Sequence, residues 1–153
     1  MAKVKHIKNI NWDGLKLHNE VNIVADIIVL DIKNGVRQGQ DINGSAFKPL
    51  KESTSKQKRR KGQPNAPLIA TGQMHEVYIK PRATRGKEIA NVQVPRGRDG
   101  VNRIVVGHIH NTGDGVPKRE WFGISKRALK KIDTSLKFRL KEKLRQKGGA
   151  GIR

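Results

Sequence analysis

The sequence predicts an α+β fold: an antiparallel β-sheet of short strands packed by a long N-terminal helix and a long C-terminal helix, with an extended basic loop. Three observations carry this. Apolar residues recur at the helical period near the N-terminus and again near the C-terminus. Between them lie short apolar runs with period-two alternation. No crossover helix separates those runs, so they predict an antiparallel meander and not a parallel sheet.

The first element spans Leu15 to Val36. Leu17, Val21, Val24, Ile28 and Ile32 follow the spacing of one helix face, and Ile23, Ile27 and Leu30 widen it, as in a helix buried against more than one neighbour. β-branched residues are frequent here, but the length of the run favours a helix, with Gly35 or Gly39 as its stop. Asp41-Ile42-Asn43-Gly44-Ser45 is a turn. From Lys48 to Lys61 there are seven basic residues and one acid, a density that repels itself and buries nothing. Residues 51–65 are therefore expected as a mobile basic loop, with a short helical start after Ser53.

The middle of the chain reads as strands. Met74 to Ile79 is the first. Ile89-Ala90-Asn91-Val92-Gln93-Val94 alternates and is the second. Arg103-Ile104-Val105-Val106-Gly107 is the third. The turns between them are Pro81 to Lys87 and Pro95 to Gly100. Asn111 to Pro117 is a glycine-containing loop, and Ser125 is the expected N-cap of the last helix. That helix carries a narrow stripe of Leu129, Ile132, Leu136, Leu140 and Leu144, with ten basic and two acidic residues between Lys126 and Lys147. The 153 residues are expected to form a single domain (1–153), with a frayed terminus at 148–153.

The net charge of +20 is unevenly placed: residues 1–47 carry a net +1 and residues 48–153 a net +19. That asymmetry points to a polyanionic partner, or to a solvated face that keeps the chain soluble. There is no cysteine, which excludes disulfides, thiol catalysis and cysteine-based zinc sites. No apolar run is long enough for a membrane-spanning helix, so no membrane partner is expected, and the first residues lack the apolar core of a secretion signal.

Catalytic constellations are missing from the pattern. His108 and His110 would share a face if they lay on a strand, but a metal site needs further ligands, and Asp114 is the nearest carboxylate. Asp99, Asp114 and Glu120 are too spread for two-metal nuclease chemistry. Gly35 to Gly39 lacks the ending of a phosphate-cradling loop, and Ser53, Thr54 and Ser55 have no base nearby in sequence. No cofactor or metal is expected, and the chain reads as a non-enzyme. Nucleic-acid binding is the rival reading. The six aromatic residues barely interleave with the basic runs, Phe138 being the clearest, so the contact would be non-specific. Trp121 and Phe122, just ahead of Ser125, read first as core that packs the last helix on the sheet and second as an interface anchor.

Four segments follow one another in a telling order: Phe47-Lys48-Pro49-Leu50; Pro67-Leu68-Ile69-Ala70-Thr71-Gly72-Gln73-Met74; Ile109-His110-Asn111-Thr112-Gly113; and Pro117-Lys118-Arg119-Glu120-Trp121-Phe122-Gly123-Ile124-Ser125. With the helices that flank them they resemble the phage virion morphogenesis family, the tail completion proteins of Mu-like and related tailed phages. Phe47 stands where that family favours Trp, Met74 where it has Leu, and Trp121-Phe122 where it has Phe-Leu. The Tyr-Ala pair expected before His110 is absent.

The resemblance implies a structural virion protein of the neck or the head-proximal tail end. It would form a homo-oligomeric ring, expected as a hexamer, that completes the tail or joins it to the head, with DNA passing through the lumen. Its location would be the virion, and the host cytoplasm during assembly. Its partners would be neighbouring neck, tail-tube or portal-adaptor proteins. Lys118, Arg119, Trp121 and Phe122 are the expected ring contacts, Arg119 by bridging a neighbour's carboxylate. Lys56, Lys58, Arg59, Arg60, Lys61, Lys130, Lys137 and Lys141 are the expected contacts to acidic partners or DNA.

Overall fold

The structure, a computed structural model, describes residues 16–97 and 102–149. Leu15, Asp99, the end of the second predicted turn and the terminus from Ala150 onward lie outside the described residues. Within them the chain is α+β, with α1 (His18–Gln38), α2 (Glu52–Arg60), a 3₁₀ turn at Gln73–His75, β1 (Tyr78–Ile79), β2 (Val92–Gln93), α3 (Arg103–Thr112) and α4 (Lys126–Gly149).

Helix α1 is the centre of the fold and meets α4, both strands and the 3₁₀ turn. It stops at Gly39, whose left-handed φ of 67° lets the chain reverse while its N–H reaches back to the last-turn carbonyls. Its face at Val29, Ile32 and Val36 joins Phe47, Met74, Val77 and Trp121 in the core. A second face, with Val21, Val24 and Ile28, lines an apolar groove of about 300 Å³ with Leu136 and Leu140 of α4. Two acids on α1 are buried, Glu20 and Asp31. Each takes a cation from α4: Lys143 Nζ lies 2.7 Å from Glu20 Oε2, and Arg127 Nε lies 3.3 Å from Asp31 Oδ1. The pairing of 20 with 143 and of 31 with 127 makes the helices antiparallel and fixes their register. Removing one partner would leave a buried charge unmatched, which costs far more than the pair itself contributes. Burial pushes the Glu20 carboxyl up, but Lys143 and Glu20's own backbone N–H pull harder the other way and hold it below the usual value.

The sheet is smaller than expected. β1 and β2 pair antiparallel, Tyr78 with Gln93 and Ile79 with Val92. Lys80 N–H to the Asn91 carbonyl (2.8 Å) and Asn91 N–H to the Pro81 carbonyl (3.1 Å) prolong the ladder by one step. Asn22 of α1 then brackets the turn: its amide accepts from Ala83 N–H and donates to the Ala83 carbonyl, both at 2.9 Å.

The expected third strand is α3, so the three-stranded meander is corrected to a two-stranded pair beside a helix. The cause lies in the flanks. Asn102 Oδ1 caps the N–H groups of Ile104 (3.1 Å) and Val105 (3.4 Å), and Gly113 closes the helix at φ 84°. Gly107 lets Trp121 lie against α3, and Trp121 Nε1 donates to the Gly107 carbonyl at 3.0 Å. Residues 52–60 form a helix, which begins one residue before Ser53 and is longer than the short helical start expected in this basic segment. Glu52 sits in its first turn and three cations in its last, which suits the helix dipole.

The last helix matches its prediction. Ser125 Oγ accepts from Ala128 N–H at 3.0 Å. Leu129 is exposed, however, and Ala128 takes the buried position. Helix α4 runs to Gly149, and the rest of the terminus for which fraying is expected lies outside the described residues.

A side chain at position 107 has no room: an added Cβ would sit 2.8 Å from Trp121 Cζ2. Gly107→Ala is expected to lose about 1–2 kcal/mol of stability, overpacking outweighing the helix propensity gained. Urea unfolding of the variant against the native chain measures this.

Candidate functional site

The four segments behind the resemblance fold onto one another around α3. Arg119 is the meeting point of three of them, and Lys58 holds the fourth through Ile69. Arg119 is 3% exposed. Its Nε and Nη2 donate to the Lys48 carbonyl (3.1 and 2.9 Å), and Nη2 also reaches the Pro49 carbonyl at 3.2 Å. Nη1 points to the Pro117 carbonyl (3.4 Å) and to His110 Nδ1 (3.5 Å). A guanidinium only donates, so in this contact His110 Nδ1 faces Arg119 as the acceptor. Arg119 N–H in turn donates to the His110 carbonyl at 2.7 Å. The expectation of Arg119 as a ring contact is therefore corrected: its fork is occupied inside its own chain by backbone carbonyls.

The rest of that segment alternates. Lys118 points out and pairs with Glu120. Trp121 is 2% exposed and belongs to the core, the first of its two readings, so it is not available as an interface anchor. Phe122 is half-buried and edge-on to Trp121, ring centres 5.4 Å apart. Asn111 brackets the Phe122 backbone as Asn22 brackets Ala83: it accepts from the N–H at 3.1 Å and donates to the carbonyl at 3.2 Å.

Lys58 is the second internal cation. Its ammonium donates to the carbonyls of Pro64, Ala66 and Ile69. All three of its protons are so engaged, and the residue is an anchor for α2 and not the free contact that was expected. A cavity of about 150 Å³ lies between this loop and α3, bounded by Lys58, Leu68, Thr71, Met74, Val106 and His110. Lys58 and His110 are each held below their ordinary pKa, first by burial and then by the charge of Arg119, and burial lowers Arg119 as well. Among the described residues no carboxylate contributes to any of the three. The junction is held by cations bonded to backbone dipoles.

The other cations expected as partner contacts lie on two exposed faces. Lys56, Arg59, Arg60 and Lys61 are exposed on α2 and at its end. Lys130, Lys137 and Lys141 are exposed along α4, with Phe138 at 70% exposure among them. Lys137 pairs with Asp133 at 2.7 Å, a surface pair of small energetic weight.

The candidates for chemistry come apart. His108 and His110 lie two residues apart on a helix, hence on different faces, with His108 exposed and His110 turned to Arg119; the shared strand face is corrected. Among the described residues no three His, Asp or Glu side chains gather where they could hold a metal ion. Nor does any serine or threonine hydroxyl there bond a histidine ring or a carboxylate; Ser125, Thr112 and Thr134 bond only to backbone. No described helix is long and apolar enough to cross a membrane. No family model, curated protein or solved structure matches this chain.

The two depressed histidines set an acid response. His75 is also held low, by burial first and then by Arg37. Where the folded pKa lies below the unfolded 6.5, the unfolded chain binds more protons and stability rises with pH. Stability is thus expected to fall as pH drops from about 7 through 6.5 and to level off below the folded values, by up to about 1.4 kcal/mol per pH unit per histidine within that window. Urea unfolding at a series of pH values reads it, and His110→Gln should remove part of the slope and leave the share of His75.

Proposed function

We propose that this chain is a non-enzymatic structural subunit of a phage neck or head-proximal tail end, one copy in a ring that completes the tail or joins it to the head. The reading rests on the family resemblance, and one observation carries it furthest. The four segments behind the resemblance, scattered from Phe47 to Ser125, are each other's packing partners around Arg119, Lys58, His110 and Trp121. They act as a fold signature and assemble no catalytic group.

The outward faces support an assembly role. Ile104 and Val105 of α3 are about half exposed, as is Leu129 of α4, and Phe138 projects further still. Aromatic residues ringed by cations suit docking onto an acidic neighbour, the aromatic giving affinity and the charges orientation. With Arg119 and Trp121 inside the fold, these exposed apolar residues replace them as the proposed contacts. Strands of two residues offer little edge for self-association, so helix faces make the ring. Hexameric closure, placement in the virion neck, assembly in the host cytoplasm and neighbours from the neck, tail tube or portal adaptor all belong to this proposal.

The rival is a general nucleic-acid-binding protein that works as a monomer. Light scattering separates the two: a particle of hexamer mass favours the ring. Phe138→Asp should then weaken association about 30-fold or more, the effect of losing one aromatic hot spot, with helix content unchanged. A native chain that stays monomeric at assembly concentrations would remove the ring reading.

A further inference from the structure

The two basic faces differ in chemistry, and the difference assigns a partner to one of them. Helix α2 reads Glu-Ser-Thr-Ser-Lys-Gln-Lys-Arg-Arg, with no apolar residue and no buried one. Lys58 turns inward and fastens it to the 64–69 loop. Lys56, Arg59 and Arg60 then fall at i, i+3 and i+4 on the opposite side, where they alone line an open concavity of about 340 Å³. Lys56 also pairs with Glu52 at 2.7 Å, but both side chains are well exposed, so the pair is easily exchanged. Arg59 and Arg60 have no carboxylate partner among the described residues.

A protein partner needs an apolar centre to its interface, and a membrane surface needs an apolar face to insert. α2 has neither. Single-stranded nucleic acid calls for aromatic platforms, which α2 lacks. Duplex RNA is recognised by its A-form shape, through 2′-hydroxyl and phosphate contacts that span two successive minor grooves, a reach that three cations on one short helix do not have. A row of DNA phosphates asks for cations alone.

We infer that α2 is a sequence-independent contact for the phosphate backbone of duplex DNA, made by Lys56, Arg59 and Arg60 and held in position by Lys58. The inference deepens the proposed function, and it rests on that reading only in setting the duplex within an assembly. The contact places no demand on base sequence, because nothing on α2 is shaped to reach a base edge.

The test uses the full chain and a labelled DNA duplex of about 30 base pairs, with affinity read by anisotropy between about 50 and 200 mM salt. Glutamine at positions 56, 59 and 60 keeps the helix propensity and removes the charges. The triple variant Lys56→Gln/Arg59→Gln/Arg60→Gln is expected to lower the salt slope by about 2.7, at 0.9 per phosphate released. It should bind the duplex at least about 10-fold more weakly at the lowest salt, with circular dichroism unchanged. Duplexes of shuffled sequence should bind equally well. An unaltered slope in the triple variant overturns the inference, as does a native chain that binds no duplex at low salt. It is also overturned if the variant loses an acidic peptide while keeping DNA. Particle mass on the same samples keeps the two ideas apart. Intact rings without α2-dependent DNA binding remove this inference alone, and a monomer that binds DNA through α2 removes the ring reading alone.

Discussion

The structure depends on one buried cation. Arg119 leaves water to sit against the carbonyls of Lys48, Pro49 and Pro117, with no carboxylate among the described residues to meet it. Desolvating a guanidinium is expensive, and only a full set of acceptors makes it tolerable. The fork shape of the group supplies this, because its donors reach two neighbouring carbonyls at once. By doing so it pins the extended segment at Phe47–Pro49 to the end of α3 and sets Trp121 two residues on against Gly107. Phe47 and Trp121 are then delivered together to the α1 face at Val29, Ile32 and Val36.

Backbone polar groups in a chain so poor in regular sheet must find partners elsewhere. Here side chains take that part. Asn22 and Asn111 each offer an amide to a passing strand of chain, and Asp41 Oδ1 accepts from Asn43 and Ser45 to close the turn after α1. Lys58 gathers three carbonyls of the following loop. A small apolar core is thus supplemented by side chains that stand in for absent strands. The same economy leaves most of the cations on the outside, where they govern association and not fold.

The helices with an apolar period were legible. α1 ended at a glycine that was in view, and α4 began at its cap, because capping and periodicity are local. α3 was not, since Ile104-Val105-Val106 is a β-branched run and outweighed the flanking Asn102 and Gly113, which were the true signals. α2 was legible only as a short helical start after Ser53, because a helix with no apolar residue has no period to read, and its anchor, Lys58, looks like any other lysine in a basic run. The junction was visible only as motifs. That Arg119 faces inward and Lys118 outward depends on which carbonyls lie within reach, a fact of tertiary structure. Charge in a sequence says how much there is, and burial alone says which way it points.

The most direct measurement is urea unfolding of Arg119→Lys, a change that keeps the charge and removes the fork. If the guanidinium is the internal clamp described above, the variant loses about 2–4 kcal/mol and α3 loses protection in hydrogen exchange. A variant as stable as the native chain that fails only to associate would contradict this, and would return Arg119 to the outer surface of the molecule.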